Sequence, residues 1–315
     1  MRFFCYSINV NKTVLLKSKG PLLIASNHPN SFLDAIIYDI LFDVPIWSLA
    51  RGDVFKRFPT VVPFLNKVKI FPIYRTREGA ANLSENYKTF DACMEVFSKK
   101  EAVTIFSEAL CVNEWHLRPL RKGTARIAFM AWQNQMPLQV LPAGINYSSF
   151  RRFGKQVDVN LGTPITQSKF DMNDSDGNRN LAFNKELQHQ LSSLVYEIKP
   201  GDNKTFDEKF KIHPQPVKEI VLFIPAAIAA ITHAPIYFAA KLFVKKLVNN
   251  NDHYDSLLLS FLLFTYPFYL LLFTGISWAW SRHIYSLLLL VVLPLTVLAY
   301  VKRRVRKDRS FRKRK

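Results

Sequence analysis

Three polar residues each follow a short apolar run: His28 comes after residues 22–25, Arg75 after residues 68–74 and Glu108 after residues 102–106. Their types suit a shared task. An imidazole takes a proton from an alcohol at neutral pH. A guanidinium fork grips a phosphate through two parallel hydrogen bonds, and a carboxylate accepts hydrogen bonds from hydroxyls. Asp34 stands six positions beyond His28, about one turn into a helical pattern, where its carboxylate can reach back and fix the imidazole in one tautomer. Arg118, Arg121 and Lys122 precede another helical pattern near Thr124, whose N-terminus offers backbone N–H donors and a positive dipole end to an anion. Taken singly, each has a plain alternative: His28 as a loop filler or helix cap, Arg75 as half of a surface ion pair, Glu108 as a cap, the basic trio as a solvated turn. One polar strand exit is commonplace; three carrying these groups indicate a site.

The elements that must hold these residues follow from apolar periodicity. Residues 14–16, 22–25, 45–50, 68–74, 102–106 and 138–146 read as strands. Residues 31–42, with Asn30 as N-cap, and residues 82–99 and 123–135 read as helices, while residues 55–64 form a short amphipathic segment broken by Pro59 and Pro63. Strands alternating with helices at this spacing predict an α/β sandwich with a largely parallel or mixed sheet. In such sheets, residues at strand exits converge on one crevice.

Across residues 14–165 the chain resembles the glycerolipid acyltransferases of the phospholipid/glycerol acyltransferase superfamily. Asn27, His28 and Asp34 match the family's Asn-His with a spaced Asp, and Phe71-Pro72-Ile73-Tyr74-Arg75 matches its strand ending in Arg. Phe106-Ser107-Glu108-Ala109 matches Phe-Pro-Glu-Gly, and Val140-Leu141-Pro142-Ala143-Gly144-Ile145 matches an apolar strand containing Pro. Each block is weak alone; four in the correct order are specific. Two departures stand out. Five residues, rather than the commoner four, separate His28 from Asp34, a spacing that resembles the branch acylating glycerol 3-phosphate or dihydroxyacetone phosphate. Ser107 and Ala109 replace Pro and Gly, and because Ala tolerates a positive φ poorly, the turn beside Glu108 is expected to differ.

The resemblance implies a direct acyl transfer. His28 acts as general base on a hydroxyl of a glycerol phosphate, Asp34 orients it, and the oxygen attacks an acyl thioester without an acyl-enzyme. Asn27, Arg75, Glu108, Arg118, Arg121 and Lys122 fall on the substrate side. The chain shows no G-x-S-x-G elbow, and Cys93 and Cys111 lack a local nucleophile motif. No cofactor and no metal are expected beyond acyl-CoA or acyl carrier protein as donor, since a leaving thiolate needs no Lewis acid and the sequence shows no ligand cluster.

Charge and hydropathy point to a membrane. The formal charge is +19 over 315 residues, which implies anionic partners. Residues 302–315 hold ten Lys or Arg against Asp308. Three cysteines without a C-x-x-C pair argue for a reducing compartment, and the first residues lack a signal-peptide core. Residues 257–280 carry no formal charge and are long enough to span hydrocarbon; residues 284–301 form a second, shorter span. Trp278, Trp280 and Tyr285 suit an interfacial aromatic belt. Residues 220–240 are apolar but interrupted by Pro225, His233 and Pro235, and are expected to re-enter or lie in the interface. The expected organisation is an acyltransferase domain over residues 1–210, membrane-associated helices over 211–301, and a basic cytoplasmic tail over 302–315. That is a multi-pass membrane protein with its catalytic domain on the cytoplasmic face.

The expected partners are an acyl thioester, a glycerol-phosphate or lysophospholipid acceptor, and a membrane with anionic lipids. The tail adjoins a span, so lipid is preferred over nucleic acid. Two other readings stay open: transfer to another lipid acceptor, such as an amino-acid or sugar lipid, and a non-catalytic membrane scaffold with this fold.

Overall fold

The structure, a computed structural model, describes residues 1–52, 55, 60, 62–74, 80–213, 215–247 and 251–308. Seven strands, β1 (Cys5–Val10), β2 (Leu22–Ser26), β3 (Ile46–Arg51), β4 (Ile70–Ile73), β5 (Ala102–Phe106), β6 (Gln139–Tyr147) and β7 (Lys155–Leu161), form one sheet in the order β1-β7-β6-β2-β5-β3-β4. The pairs β2–β5, β2–β6, β3–β5 and β3–β4 are parallel. Every residue of β2 is buried, and β5 is buried up to Phe106, which is why both read as continuous apolar runs rather than alternating ones. Helices α1 (Phe32–Leu41), α3 (Ala80–Ser98) and α4 (Gly123–Gln133) fall where the spacing predicts them, and α2 (Val62–Lys67) and α5 (Asp176–Leu194) add to them. The fold is an α/β sandwich.

Two expectations need correction. Residues 14–16 are not a strand but part of a 3₁₀ turn, Thr13–Lys17, with no buried residue and Val14 82% exposed. Three apolar residues with no neighbouring strand to pair with have no ladder to join. Asn30 is not the N-cap of α1; Ser31 holds that position at φ 56°, without a side-chain cap bond. Asp34, in the third helical position, reaches back past the cap and accepts the Asn30 N–H at 2.9 Å. Half of the expected amphipathic segment 55–64, residues 56–59 and 61, lies outside the described residues.

Contacts divide the chain into two compact units, residues 10–145 with 159–197, and residues 1–9 with 146–158 and 198–315. The core of the first is built from Leu23, Ala25, Val103, Phe97, Trp132 and Leu187, all essentially inaccessible. In the second unit follow α6 (Asn203–Phe210), α7 (Pro216–Val221), α8 (Phe223–Thr232), α9 (Ala234–Leu247), α10 (Tyr254–Ser281) and α11 (Leu289–Arg303), the last preceded by a 3₁₀ turn from Ile284. α10, at 28 residues, and the 20 residues of Ile284–Arg303 are long and apolar enough to cross a membrane. α8 and α9 meet at a 57° bend at His233. Pro235 brings no N–H to the ladder there, and side chains fill in: His233 Nε2 lies 3.1 Å from the Tyr266 hydroxyl, and the Tyr269 hydroxyl donates to the Thr232 carbonyl.

Candidate active site

The sheet register brings His28 and Glu108 together. Ser26 pairs with Phe106 across parallel strands, so the residues two beyond each, His28 and Glu108, leave the same sheet edge side by side. The His28 backbone N–H donates to Glu108 Oε2 at 3.0 Å, and the Arg118 N–H donates to Oε1 at 2.8 Å. The His28 side chain turns towards α1, where Nδ1 meets Asp34 Oδ2 at 2.9 Å. Asp34 is fully buried and its Oδ2 also takes the Asn30 N–H. With Nδ1–H donated to the carboxylate, Nε2 keeps its lone pair, and no described residue partners it. The imidazole is stacked on Phe106, centroids 3.9 Å apart at 16°, which fixes the ring plane. One turn below Asp34, the Tyr38 hydroxyl and Ser26 Oγ share a buried hydrogen bond of 2.7 Å. A base with one nitrogen anchored and the other open is what an alcohol proton requires.

Glu108 is only 6% exposed, and burial pushes its carboxyl up to about 7, against the lowering effect of the Arg118 and His28 N–H donors. Both oxygens face backbone donors, so its contacts are those of a post joining two loops. Ser107, where the family has Pro, shares a hydrogen bond of 2.9 Å with Thr124 Oγ1 and ties the turn to α4. Ala109, where the family has Gly, sits at φ 52°. The alanine bears the cost of that left-handed conformation, roughly 1–2 kcal/mol.

The segment after this turn straps the histidine loop. Val112 N–H donates to the His28 carbonyl at 3.2 Å, Asn113 Nδ2 to the Pro29 carbonyl at 2.7 Å, and Ser31 N–H to Cys111 Sγ at 3.1 Å. Sequence reasoning singled out none of these three contacts. Nothing in the spacing of Cys111 or Asn113 marks it, because their partners are backbone atoms some 80 residues away.

The other expected residues separate into groups. Asn27 clamps β6, its Nδ2 donating to the Ile145 carbonyl at 3.0 Å and its Oδ1 accepting the Ile145 N–H at 2.8 Å. The Arg118 guanidinium is forked onto Glu114 through Nε and Nη2. Arg121 and Lys122 are exposed at the start of α4, and among the described residues no carboxylate pairs with either. The Arg121 N–H donates to the Ser107 carbonyl at 2.8 Å, which sets that residue beside the Glu108 turn. Arg75 lies outside the described residues; the strand leading to it, β4, is described to Ile73, and Tyr74 is tied at both backbone groups to Asn86. Cys93 is buried and its thiol is pushed up to about 12, as suits a core residue.

Residues 7–146 match the family model described as Acyltransferase. Comparison with curated proteins returns no match. Among solved structures, the chain is similar to the 1-acyl-sn-glycerophosphate (LPA) acyltransferase PlsC from Thermotoga maritima, at 10% identity and a TM-score of 0.40, over 60% of this chain and 71% of that one. Residues 7–146, which contain the His28, Glu108 and Ile145 blocks in the expected order, are thus similar to the Acyltransferase family over that part of the chain.

Proposed function

We propose that the protein is a membrane-bound O-acyltransferase that moves a fatty acyl chain from a thioester to a hydroxyl of a glycerol phosphate or lysophosphatidate, with acyl-CoA or acyl carrier protein as donor. The observation that carries this reading is the 2.9 Å contact between His28 Nδ1 and buried Asp34. His28 Nε2 removes the hydroxyl proton as the oxygen attacks the thioester carbonyl carbon. The tetrahedral intermediate collapses, the C–S bond breaks, and the thiolate takes the proton from the imidazolium. Asp34 stabilises that imidazolium and holds the tautomer. No cofactor enters these steps. Arg121 and Lys122, with Arg75, hold the acceptor phosphate, aided by the N-terminus of α4. The helices Tyr254–Ser281 and Ile284–Arg303 cross the membrane as a hairpin that returns the basic tail and the catalytic residues to the cytoplasmic side.

A thiol-release assay of the full chain in vesicles, across glycerol 3-phosphate, dihydroxyacetone phosphate, lysophosphatidate and non-phosphate lipid alcohols, tests the reading. Release that depends on a phosphate-bearing acceptor supports it. Release driven best by an amino-acid or sugar lipid reassigns the acceptor, and no release with any acceptor favours the scaffold.

A further inference from the structure

Residues 302–308 leave α11 as a basic segment, and most of it is fixed in place. Lys302 Nζ donates to the Cys5 carbonyl at 3.1 Å and to that of Tyr6. Arg303 Nε donates to the Glu219 carbonyl at 3.1 Å, with its guanidinium 4.8 Å from the centre of the Phe223 ring. Lys307 pairs with Asp207. Arg304 and Arg306 differ: among the described residues neither pairs with a carboxylate.

Their backbone is nonetheless laced to the turn between β6 and β7. Arg306 N–H donates to the Gly154 carbonyl at 2.9 Å, and Ser148 Oγ donates to the Arg306 carbonyl at 2.7 Å. Asp308 N–H donates to the Ser148 carbonyl at 3.1 Å, while its carboxylate accepts Ser149 Oγ at 2.8 Å and Phe150 N–H at 2.7 Å. Gly154 is required here twice over. Its φ is +79°, and a Cβ would stand 3.0 Å from the Val301 carbonyl oxygen, against the returning tail. The turn itself carries Arg151 and Arg152. Arg152 is 60% exposed, with Nε 3.8 Å from Asp308.

Aromatic hydroxyls border the cluster. Arg306 lies 5.0 Å from the centre of the Tyr300 ring. Arg152 and Arg306 are both within electrostatic reach of the Tyr237 hydroxyl, and Arg151 of that of Tyr254. Burial, with like-charged Arg304, Arg152 and Arg303, holds Arg306 below its usual value despite Tyr300. Like charges this close repel, and an anion among them turns repulsion into attraction. The cluster stands where α10 begins and α11 ends, the level at which tyrosines meet headgroups.

We infer that Arg151, Arg152, Arg304 and Arg306, rimmed by Tyr237 and Tyr300, bind the phosphate of an anionic lipid headgroup. The site shares no residue with the His28 constellation. Guanidinium forks match phosphate oxygens in pairs, and the tyrosines add apolar flanks with O–H donors. The inference rests on the membrane placement of these helices and is independent of acyl transfer.

The test uses the purified full chain in detergent, titrated with short-chain phosphatidylglycerol, short-chain phosphatidylcholine or inorganic phosphate, with bound molecules counted by native mass spectrometry. The wild type is expected to retain phosphatidylglycerol in preference to phosphatidylcholine. Arg304→Gln with Arg306→Gln should weaken that binding about ten- to a hundredfold, as loss of charge-assisted bonds does, with the melting temperature unchanged. The matching Lys pair should restore part of it, having charge without the fork. If the double variant melts early, the exposed Arg152→Gln provides the comparison, with the same loss expected. Equal retention by wild type and variant, or no preference for the anionic lipid, overturns the inference. Displacement of the lipid by millimolar inorganic phosphate also overturns it, making this a site for free phosphate. A chain that binds lipid as expected but releases no thiol leaves this inference standing and sinks the catalytic reading.

Discussion

The two compact units place polarity in opposite ways. In the α/β unit, Leu23, Ile24, Ala25 and Val103 are fully buried, and polar groups go inside chiefly at the strand exits, where Asn27, Asp34 and Glu108 find partners. In the helices of the other unit many large apolar side chains face outwards: Phe268 is 72% exposed, and Leu263, Leu271 and Val291 are nearly as open. There Asp255, Ser256, Thr274, Ser286 and Thr296 are buried alongside Ala240, Val244, Leu258 and Leu293. Water as the outer solvent rewards the first arrangement and hydrocarbon permits the second, since apolar helix faces lose nothing against lipid tails. A buried polar residue therefore means different things in the two places. At the strand exits it ties down the loops around His28; among the helices it marks how they are held.

Substitution of buried carboxylates in each unit separates the two meanings. Asp34→Asn should lower turnover on the order of 10²- to 10⁴-fold while leaving the melting temperature and membrane attachment nearly unchanged, because the amide cannot stabilise an imidazolium. Steady-state thiol release with parallel melting curves checks it. Asp255→Ala should do the converse. Lys155 and Asp255 form a fully buried ion pair, with the Lys155 ammonium 4.7 Å from the centre of the Phe4 ring. Breaking a buried pair by removing one partner costs about 3–5 kcal/mol. The variant should melt early in detergent, yet each folded molecule should turn over normally. Lys155→Met combined with Asp255→Leu should recover most of the lost stability.

Glu108 gives the smaller, pH-dependent contrast. Its folded-state carboxyl is raised to about 7, above the unfolded value. The folded chain therefore holds a proton that the unfolded chain has released, and its contribution to stability is full below about pH 4.5 and falls as pH rises through 7, by about 3 kcal/mol. Glu108→Gln removes this slope and leaves one backbone N–H facing an amide N–H₂, a loss of about 1–3 kcal/mol. The melting-temperature gap between wild type and variant should be widest near pH 4.5 and close towards pH 7; parallel pH profiles would assign the raised carboxyl elsewhere.

Much of the site was legible because strand exits are local. An apolar run followed by His or Glu can be read directly, and parallel register brings the exits of His28 and Glu108 to one edge. The spans read as 257–280 and 284–301 were legible because length and composition alone define them, and the helices run from 254 to 281 and from 284 to 303. What could not be read depends on distant backbone. The strap formed by Cys111, Val112 and Asn113 needs the loop of His28 to be in place, and the Glu108 oxygens are claimed by two N–H groups that no spacing announces. The lacing of residues 304–308 onto the turn at Gly154 joins positions about 150 residues apart. Ala109 teaches a related point: tertiary contacts impose the left-handed turn where residue preference alone argues against it.

The central claim is that His28 is the base for acyl transfer. Its most direct test is thiol and ester product measured together for the full-length wild type and His28→Ala in the same vesicles, with a saturating acyl thioester and the best phosphate-bearing acceptor. The wild type should release one thiol per ester formed, and His28→Ala should lose both in step, by a factor on the order of 10² to 10⁴, while remaining folded and resistant to carbonate extraction. Turnover of His28→Ala close to that of the wild type would contradict the claim.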